Sequence, residues 1–214
     1  MSVQPYERFA APQKEEQPMC SRYWIAADDD GELAKIIAAL NRKGAPENVK
    51  TSGEIFPSDT VPVVANNRQL KARPFAMRWG YSFPDGHPII NARSETAQTK
   101  PLFQDGMRRR RCLIPAKCYF EWERRDKERI KYAIRPAHGR ILYFAGIYHW
   151  EQHSKATFPT FAILTQQAAP EIAFIHERMP VILPAERLRD WLNPRNDARD
   201  ILQAALRDME YQRV

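Results

Sequence analysis

Ile130-Lys131-Tyr132-Ala133-Ile134 and, past His138-Gly139, Ile141-Leu142-Tyr143-Phe144-Ala145-Gly146-Ile147-Tyr148 decide the fold class. In the first run the large apolar side chains fall on every second residue, the period of a strand with one buried face. The second is an almost unbroken apolar run behind a turn signal, as a strand buried on both faces requires. Working outward, Phe75, Met77 and Trp79 alternate in the same way, and Thr160–Thr165 is a further apolar run. Thr60–Ala65 is rich in β-formers but holds Pro62, which predicts an edge strand or a strand start. Pro84-Asp85-Gly86 and Asp105-Gly106 read as turns between strands.

Helical periods flank this region. Leu33, Ile36, Ile37 and Leu40 share one helix face, with Asp28–Asp30 as capping carboxylates and Gly44 as the stop. Near the other end, Pro170–Ile175 predicts a short helix, and Pro184 starts another that runs through Trp191-Leu192 to Asn193-Pro194. Asp197–Leu206 repeats the period with Ile201, Leu202, Ala205 and Leu206. A helix, then many strands, then helices predicts an α+β fold: a mostly antiparallel, barrel-like curled sheet flanked by helices.

The chain has 214 residues, of which 43% are hydrophobic and 28% charged, enough for one real core under a solvated surface. No run approaches the roughly 20 apolar residues of a membrane helix, and Met1–Pro18 lacks the apolar stretch of a secretory signal. These features place the protein in the cytoplasm. An odd set of irregularly spaced cysteines (Cys20, Cys112, Cys118) is neither a disulfide framework nor a zinc ligand set, so no metal is expected. The net charge of +7 favours a polyanionic partner. Residues 1–19 read as a leader, disordered or removed, because they are polar and carry Pro5, Pro12, Pro18 and the run Lys14-Glu15-Glu16. The domain proper is then 20–214.

Four segments carry chemistry: Met19-Cys20-Ser21-Arg22-Tyr23; Asn91-Ala92-Arg93-Ser94-Glu95-Thr96; Arg111-Cys112-Leu113-Ile114-Pro115 running on to Tyr119-Phe120-Glu121-Trp122; and His176-Glu177-Arg178-Met179-Pro180. In this order they resemble the SRAP (SOS-response-associated peptidase) family over roughly residues 19–192. The resemblance implies a sensor of abasic sites in single-stranded DNA that forms a covalent crosslink through Cys20. It also implies possible self-processing of the leader and an associated lyase activity. The implied catalytic residues are Cys20, Asn91, Glu121 and His176, and the implied DNA-binding residues are Arg93, Trp79 and Thr165. The expected partner is single-stranded DNA with abasic sites, bound by a monomer with no small-molecule cofactor.

The residue types suit those roles. A terminal cysteine carries an amine and a thiol on adjacent carbons, so it can form a Schiff base with an aldehyde and then close a thiazolidine ring. With pKa values of about 8 and about 8.5, both groups have usable nucleophilic fractions at neutral pH. Glu121 between Phe120 and Trp122 is expected to be partly desolvated, which raises its pKa toward a useful value for proton transfer. His176 is the second proton carrier. Asn91 can both donate and accept, and Arg93 can fork a phosphate. Trp79 is either a stacking surface for a base or a core residue. The run Arg108–Arg111 is either a phosphate track or a solvated turn. His87, His138, His149 and His153 match no motif.

The leader departs from the family pattern, in which the cysteine follows the initiator methionine. Three origins stay open: synthesis starts at Met19, the leader is cut before Cys20, or it stays attached and denies Cys20 a free amine. Glu54 stands where many members carry Asn, which puts DNA contact from that loop in doubt, and the chain shows no C-terminal strand motif of the kind in longer relatives. A cysteine peptidase acting on proteins and a non-catalytic single-stranded DNA-binding module are the competing functions.

Overall fold

The computed structural model describes residues 20–26, 31–42, 46, 48–82, 86–126, 128–139, 141–153 and 156–214. The leader, the Asp28–Asp30 cap, Gly44 and the Pro84-Asp85 turn lie outside them. The chain begins with strand β1 (Arg22–Ile25), helix α1 (Gly31–Asn41) and strands β2 (Gly53–Ile55), β3 (Thr60–Asn66) and β4 (Ala72–Trp79). Strand β5 (Asn91–Arg93) leads into helices α2 (Ser94–Ala97) and α3 (Pro101–Arg109). Five strands follow: β6 (Arg111–Ala116), β7 (Cys118–Arg125), β8 (Glu128–Pro136), β9 (Leu142–His153) and β10 (Ala156–Gln167). A 3-10 turn at Pro170–Ile172 precedes β11 (Arg178–Pro180), α4 (Leu188–Leu192), α5 (Ala198–Gln203) and β12 (Met209–Arg213).

Five strands close into a ring. β10 pairs β4, β4 pairs β3, β3 pairs β6, β6 pairs β9, and β9 returns to β10. Only the β4–β10 seam is parallel. A separate antiparallel sheet has the order β12-β8-β7-β1-β2. The expected α+β chain with a mostly antiparallel, barrel-like sheet is what the structure contains.

Strand alternation sorts the barrel side chains into two cores. Val61, Val63, Trp79, Ile114, Phe144 and Phe161 join Tyr23, Ile55, Tyr119 and Ile134 of the five-stranded sheet. The intervening Leu113, Tyr143, Ala145, Ile147 and Leu164 meet Phe103, Met107, Trp191 and Ile201 of the helices. Each large apolar side chain so buried contributes about 1.5–3 kcal/mol. A ring closed on itself and clad on one face by a sheet and on the other by helices leaves few strand edges to protect.

Two local expectations are corrected. Asp105-Gly106 is no turn but lies inside α3, where a Cβ on Gly106 would come within 3.0 Å of Ile147 Cβ. Close packing of α3 on β9 accounts for the glycine. Pro62 sits in an interior strand, but β6 joins β3 only at Val64 and Ala65, so no neighbour on that side needs the N–H that Pro62 lacks. The last residues form a strand that no sequence signal announced: β12 pairs β8 from Met209↔Pro136 to Arg213↔Tyr132.

Candidate active site

The pairing of β1 with β7, in register Arg22↔Phe120, lays the residues before β1 along β7. Cys20 N therefore donates to Glu121 Oε1 at 2.6 Å, both groups being buried. On β7 the side chains of Tyr119, Glu121 and Glu123 alternate inward, so the strand period delivers Glu121 to the core side. Glu121 is 5% exposed. Burial raises its pKa to about 7, against hydrogen bonds from the Cys20 and Trp122 N–H groups that pull it down. Burial, and then the Glu121 charge, push the Cys20 thiol well above the ordinary range, so it is protonated where it lies. Cys20 also has φ 46°, the left-handed region that side chains other than glycine rarely adopt.

Asn91 is positioned by a strand relay. β4 accompanies β10 in parallel through Trp79↔Phe161, and β5 continues the same seam from Asn91↔Ile163. The chain leaves β4 at Gly80, whose φ of 107° and 2.7 Å clearance from its virtual Cβ to Pro88 exclude any side chain. It returns through the Tyr81↔Ile89 bridge to begin β5. Asn91 is half-buried there, and Arg93, two residues on, is exposed at the start of α2.

Trp79 is fully buried, against Tyr23 with ring centroids 5.1 Å apart and parallel to Phe161. Its indole N–H donates to Ile90 O at 3.0 Å. The expected base-stacking role is thus corrected: Trp79 is a core residue that anchors the backbone beside Asn91. Thr165 is likewise buried, its hydroxyl 3.4 Å from Ala92 O, so it faces the chain itself and offers no surface to DNA.

His176 is half-buried, and burial lowers its pKa. Its Nδ1 accepts the Arg178 N–H at 3.0 Å, so the neutral ring carries its proton on Nε2. Cys20 and Glu121 are in direct contact; Asn91 opens β5, which runs into the α2 loop, and His176 lies in the loop before β11. What ties those loops together went unread in the sequence. Arg178 forks Glu95, Nη1 to Oε1 at 2.6 Å and Nη2 to Oε2 at 2.8 Å, and Nη2 also reaches Thr165 O at 2.9 Å. This bidentate pair joins the Asn-Ala-Arg-x-Glu-Thr motif to the His-x-Arg-x-Pro motif. The signal was present: each motif carries one member of an opposite-charge pair. The hydroxyls of Tyr23 and Tyr119, in the same core as Cys20, are buried with no protein hydrogen bond.

Of the remaining candidates, Glu54 bonds Lys131 and Arg22, whose hydrogen bonds outweigh burial and hold its carboxyl below the ordinary range. The arginine run is a helix end rather than a solvated turn. Arg109 and Arg110 pair with Asp105, and Arg111 is buried with its Nε on Met107 O at 2.7 Å.

Residues 19–214 match the family model for the SOS response associated peptidase (SRAP). The chain belongs to the SRAP family. Among SRAP relatives it is 35% identical over 201 residues to the abasic site processing protein YoaM of Bacillus subtilis, covering 88% of this chain and 85% of that one. To the abasic site processing protein YoqW of the same organism it is 34% identical, covering 92% of both chains. In fold, this SRAP chain is similar to a crystal structure of a protein from Bacteroides thetaiotaomicron, with TM-score 0.73, 21% identity, and 91% and 92% of the two chains covered. Among the described residues no helix is long and apolar enough to cross a membrane.

Proposed function

We propose that this protein captures abasic sites in single-stranded DNA as a covalent adduct of Cys20, acting in the cytoplasm as a monomer without metal or cofactor. The observation that carries the reading is the 2.6 Å contact between Cys20 N and the buried Glu121 carboxyl, which burial pushes up to about 7 while that nitrogen is a peptide N–H. A carboxyl raised by burial toward the working pH can both give and take a proton within one reaction.

The reading requires Cys20 to be terminal, so that its nitrogen is an amine. The domain that works is then 20–214, with the leader absent or removed. Glu121 gives a proton to the ring oxygen of the deoxyribose and takes back the proton of the C1′ hydroxyl as the ring opens to the aldehyde. The amine adds to that carbon, and water leaves with a proton from Glu121 or from His176 Nε2. The thiol sulfur then adds to the imine carbon while its proton passes through Glu121 to the nitrogen. Aldehyde and aminothiol thus become thiazolidine and one water. Asn91 holds the amine and sugar, and Arg93 takes a flanking phosphate. Proton abstraction from the Schiff base would instead break the 3′ phosphate ester, the lyase side reaction. Self-cleavage before Cys20 would use the same groups. The names of YoaM and YoqW, both abasic site processing proteins, support this reading.

Intact mass before and after incubation with single-stranded DNA carrying one abasic site is the test. A chain beginning at Cys20 gains the mass of the DNA less one water, and Cys20→Ala gains none. Adduct formation by Cys20→Ala would sink the assignment. Turnover of unrelated peptides would favour a peptidase acting on proteins.

A further inference from the structure

We propose that the open end of the barrel is a second nucleic-acid contact, which takes one unpaired nucleotide with its base against Trp150 and its phosphate on Arg68 and Arg109. The barrel is not closed along its whole length. The β4–β10 ladder covers only Arg78↔Thr160 and Trp79↔Phe161, and the next residue of β10 is Pro159, which has no N–H to extend it. β3 likewise meets β6 only at Val64 and Ala65. The strands splay beyond these pairs, and a groove of about 510 Å³ opens between them.

The groove has a floor of one kind and a rim of another. Phe75, Met77 and Tyr148 line its depth, and Trp150 stands at its side, 52% exposed. Pro159 lies across from Trp150 on the neighbouring strand. Arg68, on the exposed β3–β4 turn, and Arg109 and Arg110, at the end of α3, form the rim. No carboxylate lines the groove among the described residues; Asp105, outside its lining, pairs with Arg109 and Arg110. An exposed indole beside a cluster of guanidinium groups matches a ligand that is aromatic at one end and anionic at the other, which is a nucleotide. A purely apolar ligand would leave the rim unmatched, and a simple anion would leave Trp150 bare.

The groove draws no residue from the five-stranded sheet, from β5 or from β11, the elements that position Cys20, Asn91, Arg93, Glu121 and His176. It therefore binds intact strands, independently of any covalent capture. A strand long enough to reach both places would be held at two points, which raises its effective concentration at the second.

The test uses the full chain and a dye-labelled oligothymidylate without abasic sites, followed by fluorescence anisotropy over a series of salt concentrations. Trp150→Ala should weaken binding by about tenfold, and Trp150→Phe should restore most of it. Arg68→Glu should weaken binding and flatten the salt dependence. Thymidine monophosphate separates the two sources of the same chemistry: displacement of the strand from the wild type assigns the groove to a single nucleotide, and its failure assigns it to the polymer. Unchanged affinity and salt slope in both variants would overturn the proposal. Adduct formation on a short abasic oligonucleotide at saturating concentration should be the same in all variants. Loss of adduct in the wild type with the Trp150→Ala effect intact would sink the covalent reading and leave the groove standing.

Discussion

A carboxyl that is 5% exposed and titrates at about 7 is half ionised in neutral solution, and it exacts a cost in stability. The folded pKa lies above the ordinary 4.5, so the native state holds its proton more tightly than the unfolded chain does. Stability from this group is full below about 4.5 and is lost as pH rises through about 7, a swing of about 3 kcal/mol. Glu121→Gln should therefore match the wild type in urea melts at acid pH and exceed it at pH above 7. In the same variant the adduct rate should drop, and it should lose the limb of its pH profile that follows the Glu121 carboxyl. At this scale much of the site was legible. Phe120 and Trp122 on either side of Glu121 announced desolvation, and the motif brought Cys20 to it. Trp79 was not legible, because a period of two says which residues share a face but not whether that face meets solvent or a second sheet. Trp79→Phe removes the bond to Ile90 O and should cost about 1 kcal/mol, read by thermal melting.

Two short elements, β5 and β11, carry the loops on which Asn91, Arg93 and His176 depend, and neither has a large core of its own. Their register comes from β10, which pairs both, and from the Arg178–Glu95 fork. Glu95 is half-exposed, so the pair contributes about 1 kcal/mol, but it fixes geometry in two directions at once. Arg178→Lys should keep most of the stability while slowing adduct formation several-fold, measured by gel shift of the covalent product, because a single ammonium cannot hold the fork. The long strands are sensitive to packing instead. A Cβ at Gly146 would lie 2.4 Å from Ile114 Cδ1 and 3.1 Å from Ala162 O, a backbone atom that cannot move aside. Gly146→Ala should cost about 1–3 kcal/mol in denaturant midpoint. Sequence periodicity found α1, β4, β8, β9 and the helices near the end of the chain. It missed the helical state of Asp105-Gly106, because a glycine admitted for close approach carries the same letter as one required for a turn. It also missed β12, whose Met209-Glu210-Tyr211-Gln212-Arg213 has one buried residue and no clear alternation.

At the scale of the whole molecule, the barrel and the five-stranded sheet share one core, and Cys20 lies within it. Ring closure could not be read from the chain, since β10 pairs β9 as a local hairpin but must also find β4, a contact that joins Arg78 to Thr160 far along the sequence. That construction gives a special meaning to the backbone at Cys20. Its φ of 46° is a torsion defined by the carbonyl of the residue before it, and a side chain in that region carries about 1–3 kcal/mol of strain. The torsion exists only while something precedes Cys20. Once the nitrogen is a free amine there is no carbonyl to clash, and the strain has nowhere to reside. A chain that starts at Cys20 should thus melt about 2–4 °C above one with a residue before it, for each kcal/mol released. Losing whatever precedes Cys20 would then relax the fold, and capping the amine again would mean winding the backbone back into a shape it does not choose.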